Sequence, residues 1–337
     1  MKRQGHLFEQ VVRFPSLEAA TQRARRGKGN RLEVARFIFY LESNLLKLED
    51  ELRKGSYRMQ PYRSFTIREP KLRKICAAHF RDRVVQHALC SVLDPIFEAS
   101  MIEDTFACRR GKGTHAAVRR VQQLTRKQPY ALLCDVRRYF ETINHTVLKS
   151  LCRRKLKDRS MLALLDQIID HPLPGSQTGR GVPIGNLTSQ YFANMYLGEL
   201  DHFVKDKLGL PGYVRYMDDV AVFAQDKARL RETLAAIRDF LGSTLRLELR
   251  EERTCLAPVC RGVPFLGFRV FPSLVRLDGK KCRRLRKRVR SCEESFLKGE
   301  MQQEDLAQTV QSMIAHVSHA DSLQLRRQIF LLSSQLG

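Results

Sequence analysis

The stretch Tyr213-Val-Arg-Tyr216-Met-Asp218-Asp219-Val-Ala-Val-Phe223 places two adjacent carboxylates between two runs of β-forming residues. The flanking aromatic and branched residues predict a strand, a tight turn and a second strand. Two carboxylates held this close repel each other, so one would be driven towards protonation unless a cation lay between them. An exposed Asp-Asp turn is the alternative, because Asp favours turns through local hydrogen bonds. A further carboxylate from elsewhere in the chain would favour a metal site.

Asp135 is that further carboxylate. The run Tyr130-Ala-Leu-Leu-Cys-Asp135 predicts a buried strand that ends in the acid, and Tyr139 and Phe140 follow in a turn. An Asp at the end of a strand usually serves as a helix cap or as a ligand. Two-metal nucleotidyl transfer requires ligands around two ions about 3.5–4 Å apart, and Mg²⁺ prefers carboxylate oxygens. Asp135, Asp218 and Asp219, from two neighbouring strands, would meet that requirement.

The net charge of the 337-residue chain is +24, from 60 Lys and Arg against 36 Asp and Glu. This excess points to a polyanionic partner, nucleic acid first and a membrane surface second. No apolar run reaches the roughly 18 residues of a spanning helix, and the N-terminus leads into no apolar signal region, so neither a membrane partner nor secretion is expected. The nine cysteines show neither Cys-x-x-Cys nor zinc-finger spacing, which predicts reduced thiols in a cytoplasmic protein.

Three basic segments predict contacts with phosphate. Lys71 and Arg73 lie in a predicted hairpin whose cations would cradle a triphosphate, with an exposed basic turn as the alternative. The loop at 109–115 precedes a helix predicted over 116–124, and its cations and backbone amides could bind phosphate at the helix N-terminus. The loop lacks P-loop spacing. Residues 280–290 hold eight cations, a density that favours a nucleic-acid backbone over a solvated face. The cations of the last two segments that we predict to bind nucleic acid are Arg109, Arg110, Lys112, Arg283, Arg284, Arg286, Lys287 and Arg290.

Hydrophobic periodicity predicts that helices dominate the rest of the chain. Residues 1–60 are typical of basic helices, and a strand is expected within 57–67. A helix beginning at Arg81 is predicted to stop at Asp94-Pro95, because the residue before a proline disfavours the helical conformation. Further predictions are helices over 146–170, 227–241 and 280–337 and a short hairpin over 261–270.

Taken together, these motifs resemble those of reverse transcriptases, in the same order, over roughly residues 55–290. Tyr216-Met217-Asp218-Asp219 matches the Tyr-x-Asp-Asp box, and Asp135 with Phe140 five positions later matches the motif that carries the first metal ligand. Phe265-Leu266-Gly267-Phe268 resembles the primer grip, and residues 69–89 resemble the fingers of bacterial retroelement enzymes.

The resemblance implies an α+β fold of the right-hand polymerase type. The expected domains are an N-terminal helical extension over 1–55, fingers over 56–130 and a palm over 131–272 built on a βαββαβ, RRM-like sheet. A fingers segment is inserted in the palm around 150–185, and a helical thumb follows over 273–337.

The resemblance also implies roles for individual residues. Asp135, Asp218 and Asp219 would be catalytic ligands of two Mg²⁺ ions, with Mn²⁺ as an alternative metal. Phe140 would be the steric gate that selects dNTPs by occupying the space of a ribose 2′-OH. The nucleotide-binding residues would be Lys71, Arg73, Phe140, Ile184, Gly185 and Gln190, and the primer grip would be Phe265, Leu266 and Gly267.

One departure from the usual pattern narrows the resemblance. Most reverse transcriptases carry Pro-Gln-Gly where this chain has Pro183-Ile184-Gly185, and the form here resembles the enzymes of diversity-generating retroelements. That group implies a bacterial or phage-encoded enzyme that copies a template-repeat RNA into cDNA with errors opposite adenine, aided by a small basic oligomeric accessory protein. A group II intron-like or phage-defence reverse transcriptase is the alternative, and a catalytically idle RNA-binding scaffold is an alternative of another class.

The general acid that protonates pyrophosphate is not identified by the sequence. The region in which the family often has a Lys offers Arg250 and Arg253 here, and an arginine is a poor proton donor because of its high pKa.

Overall fold

In the computed structural model, residues 3–68 and 72–330 are described. The helices, in chain order, are α1 (Phe8–Val12), α2 (Phe14–Arg25), α3 (Leu32–Phe39), α4 (Leu41–Arg53), α5 (Phe80–Glu98), α6 (Thr114–Thr125), α7 (Tyr139–Thr142), α8 (His145–Lys155), α9 (Arg159–Ile169), α10 (Leu187–His202), α11 (Lys227–Phe240), α12 (Gly279–Leu297), α13 (Gln303–Val317) and α14 (Leu323–Phe330). The strands are β1 (Arg63–Ile67), β2 (Arg73–Ala77), β3 (Tyr130–Asp135), β4 (Tyr213–Tyr216), β5 (Asp219–Ala224), β6 (Cys255–Pro258), β7 (Val263–Phe265), β8 (Phe268–Val270) and β9 (Val275–Leu277).

The chain forms two compact units. Within the described residues, the first unit comprises 3–68, 72–103, 136–203 and 236–250, and the second comprises 104–135, 204–235 and 251–330. Each unit is therefore assembled from segments that are distant in the sequence. The predicted division into an N-terminal extension, fingers, palm and thumb remains a prediction.

Helix α5 is the central element of the first unit, because it contacts α1, α2, α3 and α10. Val84, Val85, Ala88 and Leu89 are fully buried along it. Contrary to our prediction, α5 continues through Pro95 for a further turn to Glu98. A proline near the end of a helix removes one hydrogen bond and constrains few following residues, and the Pro95 carbonyl still accepts from the Ala99 N–H at 3.2 Å.

The single helix predicted over 146–170 is wrong, because the structure has two helices there. The chain leaves the helical conformation at Leu156, and Asp158 caps α9 by accepting from the Met161 N–H at 3.1 Å. The other carboxylate oxygen of Asp158 accepts from the Leu7 and Phe8 N–H groups at 2.9 and 3.0 Å. Asp158, at the break between the two helices, thus anchors the N-terminal segment. Hydrophobic periodicity does not reveal a contact between residues so far apart in the sequence.

A four-stranded antiparallel sheet, in the order β4-β5-β3-β6, forms the centre of the second unit. Along the chain, β3 is followed by a helical segment and then by β4 and β5, which are joined by a tight turn. Helix α11 and strand β6 come after them. This is the predicted βαββαβ, RRM-like topology. The strands β7, β8 and β9 form a second, three-stranded sheet. Apolar side chains of both sheets and of α6 share one core, which includes Val121, Phe223 and Phe268.

A helical structure was predicted for residues 280–337, and the helices α12, α13 and α14 confirm it as far as residue 330. Residues 331–337 lie outside the described residues. They share a small core of Val289, Cys292, Met313 and Ile329. Across the described residues, no helix is both long enough and apolar enough to cross a bilayer. None of the nine cysteines, which all lie within the described residues, forms a disulfide.

Candidate active site

Asp135 and Asp219 lie directly opposite each other on the neighbouring strands β3 and β5. Directly opposed residues of an antiparallel pair have Cβ atoms about 4.5–5.5 Å apart and point to the same face. Asp135 is buried and Asp219 is half-buried. The sheet register therefore brings together two carboxylates that are 84 positions apart in the sequence. This juxtaposition creates the repulsion that a shared cation relieves.

Asp218 lies in the two-residue loop that joins β4 to β5. Tyr216 pairs with Asp219, so that only Met217 and Asp218 form the turn. Met217 has a φ of 57°, a left-handed conformation that is uncommon for a side chain of this size. Backbone strain of this kind is concentrated at functional sites, where the surrounding structure holds it in place.

Arg215 supports this turn, a role that our sequence analysis missed. Its side chain is fully buried, and its Nη1 donates to the Met217 carbonyl oxygen at 3.0 Å. Its backbone N–H donates to the Asp104 carbonyl oxygen at 2.9 Å. A buried charge is costly unless hydrogen bonds satisfy it. The available signal was an arginine in the middle of a strand of buried apolar residues.

Arg253 contacts Asp135 from the short 3₁₀ turn Glu251–Arg253, which precedes β6. Its Nη1 donates to Asp135 Oδ2 at 3.2 Å, with the arginine side chain 44% exposed and the aspartate side chain 10% exposed. The sequence marked Arg253 only as a residue in place of a lysine. The structure makes it the cationic partner of a candidate metal ligand.

A cavity of about 440 Å³ connects these groups with the candidate primer grip. Asp135, Asp219 and Arg253 line it together with Phe265, Leu266 and Gly267 and with Asp278 and Lys280 at the start of α12. The predicted carboxylates and the predicted primer grip are therefore close neighbours within one unit. Their roles in catalysis and in primer binding remain predictions.

The hairpin between β7 and β8 has a two-residue loop, Leu266-Gly267, between the paired residues Phe265 and Phe268. Both loop residues have positive φ, 50° and 78°, as a type I′ turn requires. The Lys281 ammonium donates to the Leu266 carbonyl oxygen at 3.0 Å and lies 4.5 Å from the centre of the Phe268 ring. A lysine of α12 thus fixes the shape of the loop.

The donor chemistry of the site suits Mg²⁺, because the carboxylates of Asp135 and Asp219 supply hard oxygen ligands side by side. Within residues 3–68 and 72–330, however, no three or more His, Cys, Asp or Glu side chains are grouped closely enough to hold a metal ion. Asp218, the third predicted ligand, lies in the turn that joins β4 to β5.

In the first unit, the structure brings Ile184 and Gly185 against the strand that carries Arg73. The Cys76 N–H of β2 donates to the Ile184 carbonyl oxygen at 3.1 Å. Gly185 has a φ of 113°, and a Cβ there would lie only 2.8 Å from Ile75 Cγ2, so this close approach requires glycine. Arg73 is exposed on β2. Lys71, predicted to act beside it, lies outside the described residues.

Phe140 and Gln190 belong to the same unit. Phe140 is half-buried in α7, and its carbonyl oxygen accepts from the Val182 N–H at 2.7 Å. The neighbouring Tyr139 hydroxyl donates to the Ala193 carbonyl oxygen of α10, the helix that also carries half-buried Gln190. The structure thus connects the segments of the predicted steric gate and of the Ile-Gly motif. The nucleotide-binding roles remain predictions.

The predicted nucleic-acid contacts differ in exposure. On α12, all five predicted cations are exposed, as expected for a surface that binds a polyanion. In the loop before α6, Arg110 is exposed. Arg109 and Lys112 instead contact the protein itself: Arg109 donates to the Thr105 carbonyl oxygen at 2.8 Å, and the Lys112 ammonium lies 5.2 Å from the Phe106 ring centre. The exposed cations of α12 are Arg283, Arg284, Arg286, Lys287 and Arg290.

An RRM-like antiparallel sheet with facing acids on its central strands and an Asp-Asp turn at its edge defines the palm of a right-hand nucleic-acid polymerase. The family model described as "Reverse transcriptase (RNA-dependent DNA polymerase)" matches residues 62–270. The chain therefore belongs to the reverse transcriptase family.

Similar proteins of known sequence include intron-encoded members of the same family. The chain is 28% identical to Protein YkfC of Escherichia coli (strain K12), over 66% of this chain and 70% of that protein. It is 27% identical to the group II intron-encoded protein LtrA of Lactococcus lactis subsp. cremoris, over 49% of this chain but only 29% of LtrA. Among solved structures, truncated apo telomerase from Candida tropicalis matches with a TM-score of 0.50 and 12% identity, over 68% of this chain and 58% of the telomerase chain. This last similarity supports the fold alone.

Proposed function

We propose that this protein is an RNA-directed DNA polymerase that extends a primer on an RNA template by two-metal nucleotidyl transfer. The observation that carries the proposal is the direct register of Asp135 with Asp219, with Asp218 in the adjoining turn. Like charges at this distance destabilise a sheet, and bound cations between the carboxylates would offset that cost.

In this mechanism, Asp135, Asp218 and Asp219 would hold two Mg²⁺ ions. When bound, these ions would lower the pKa of the primer 3′-hydroxyl and offset the charge of the departing pyrophosphate. The Phe265–Phe268 hairpin lines the same cavity and would hold the primer end. Lys71 and Arg73 would bind the triphosphate of the incoming dNTP, and Phe140 would exclude a ribose 2′-OH.

Template and primer are the macromolecular partners that the charge favours. The exposed cations of α12 would contact phosphates of the duplex, so that binding weakens as salt rises. The net charge of +24 acts in the same direction by raising the local concentration of nucleic acid.

The finer assignment is to a diversity-generating retroelement in a bacterium or its phage. It is supported by Ile184, in place of the Gln that usually supports the incoming nucleotide and the template base. Loss of an amide hydrogen bond near the nascent pair weakens discrimination between right and wrong pairs. The product would be adenine-mutagenised cDNA made in the cytoplasm from a template-repeat RNA, for mutagenic retrohoming into a target gene. A small basic oligomeric accessory protein would be the partner.

A group II intron-like reverse transcriptase is the second candidate. The similarity to LtrA favours it, although the chain covers only 29% of that protein. Sequencing of cDNA made by the purified protein separates the two candidates. The retroelement assignment requires substitutions concentrated opposite template adenines, whereas an even error spectrum would favour the intron-like candidate.

Primer extension with purified protein, an RNA template, dNTPs and Mg²⁺ tests the polymerase proposal. Replacing both Asp218 and Asp219 by Ala should lower the extension rate about 10²–10³-fold, because metal ligation contributes several kcal/mol to charge stabilisation in the transition state. Asp239→Ala, which removes an exposed carboxylate of α11, is the control and should leave the rate unchanged. Full extension by the double variant would overturn the catalytic roles of Asp218 and Asp219, and absence of extension by the wild-type protein would favour the RNA-binding scaffold.

A further inference from the structure

The ion pair between Arg253 and Asp135 joins a candidate metal ligand to a fixed cation. Asp135 Oδ2 accepts from Arg253 Nη1 at 3.2 Å, inside the cavity that Asp219 also lines. Arg253 comes from the 3₁₀ turn next to β6, which pairs with β3 two residues before Asp135. The strand pairing therefore holds the guanidinium beside the carboxylate.

Two consequences follow from the chemistry of the pair. The guanidinium neutralises one of two facing carboxylates, and so relieves their repulsion. The Asp135 oxygen that accepts from Arg253 is less available to bind a metal ion. A metal ion that binds this oxygen has to offset the loss of the ion pair between Arg253 and Asp135.

We propose that Arg253 is a positioning residue that orients Asp135 before metal arrives and competes with the metal ion for this carboxylate. This inference rests on the proposed two-metal function, because it takes Asp135 as a ligand. Arg253 is then the residue that sets how much divalent metal the site needs.

The direct test is Mn²⁺ binding to the purified full chain without nucleic acid or dNTP, measured by the electron paramagnetic resonance signal of free Mn²⁺. Arg253→Gln should tighten Mn²⁺ binding about 1.5- to 5-fold, the range expected for removing one partly exposed ion pair. Arg229→Gln is the matched control. Its side chain is 46% exposed and pairs with Glu232 at 3.6 Å in the same unit, and its loss should leave Mn²⁺ affinity unchanged.

Arg253→Lys supplies a second variant if Arg253→Gln does not fold. A lysine keeps the charge but loses the planar donor fork, so it should tighten Mn²⁺ binding by less than the Gln variant. Circular dichroism of each variant confirms folding. Thermal melts with and without Mn²⁺ give an independent readout, because tighter binding to the folded state produces a larger rise in melting temperature.

Three results are distinguishable when Asp135→Asn is included. Tighter binding in the folded Arg253 variants, together with weaker binding in Asp135→Asn, supports the proposal. Unchanged or weaker binding in the Arg253 variants, with Asp135→Asn still weakened, overturns the role of Arg253 and leaves the polymerase proposal standing. Wild-type Mn²⁺ affinity in Asp135→Asn, or no binding by any of the proteins, overturns both.

Discussion

Gly267→Ala is the substitution whose effect can be worked out most fully from the structure. Gly267 has a φ of 78°, and a methyl group there would overlap Lys281 Cε and lie 2.7 Å from its Nζ. Lys281 would have to move, and its bonds to the Leu266 carbonyl and the Phe268 ring would break. The substitution therefore combines backbone strain with the loss of two contacts.

The expected magnitude follows from these three contributions. A left-handed conformation costs an L-residue about 1–2 kcal/mol, the hydrogen bond contributes about 0.5–1.5 kcal/mol, and the cation–π contact contributes about 0.5–1 kcal/mol. The lower entropy of the unfolded chain offsets about 0.4–1 kcal/mol of this total. We expect Gly267→Ala to lower the free energy of unfolding by about 1–4 kcal/mol, with a central value of about 2.5 kcal/mol.

Urea denaturation followed by circular dichroism measures this loss, and primer extension reports its consequence for activity. Gly279→Ala is the control, because Gly279 begins α12 and no atom lies within 4 Å of its Cβ position. That variant should be neutral or more stable by up to about 1 kcal/mol, since Ala is the better helix former. The reasoning is refuted if Gly267→Ala is as stable as the wild-type protein, or if Gly267→Ala and Gly279→Ala lower the free energy of unfolding by the same amount.

Two further predictions concern fidelity and pH. Ile184→Gln should lower misincorporation opposite template adenine by restoring an amide near the nascent pair; cDNA sequencing checks this, and identical error spectra from both proteins would remove the explanation. The pKa of His115 is lowered first by burial and then by the neighbouring His319, His316, Arg119 and Lys281. The pKa of His316 is lowered by burial and then by Lys281 and His319. The unfolded chain then binds more protons below the ordinary pKa of 6.5, so stability should fall as pH drops from 7.5 to 5.5. His115→Gln should flatten the pH dependence of the melting temperature, and an unchanged dependence would contradict the sign.

Strand and turn positions were predictable because they depend on neighbouring residues. The apolar run before Asp135 and the runs on either side of Asp218 and Asp219 predicted β3, β4 and β5, since alternating β-formers around a polar turn have few other structures available. Helix boundaries were less predictable. The helix break at residues 156–158 depends on Asp158 contacting the N-terminal segment, and the continuation through Pro95 depends on surrounding helices that hold α5 in place.

The sequence by itself determined the family and the RRM-like order of elements and singled out the acids that we propose as metal ligands, because residue types and spacing carry that information. Tertiary structure alone decided that Asp135 faces Asp219 in register, that Arg253 pairs with Asp135 and that buried Arg215 supports the Met217 turn. Each of these contacts joins different segments of the chain across a sheet or a turn. Strand register and side-chain packing fix such contacts, and a linear pattern specifies neither.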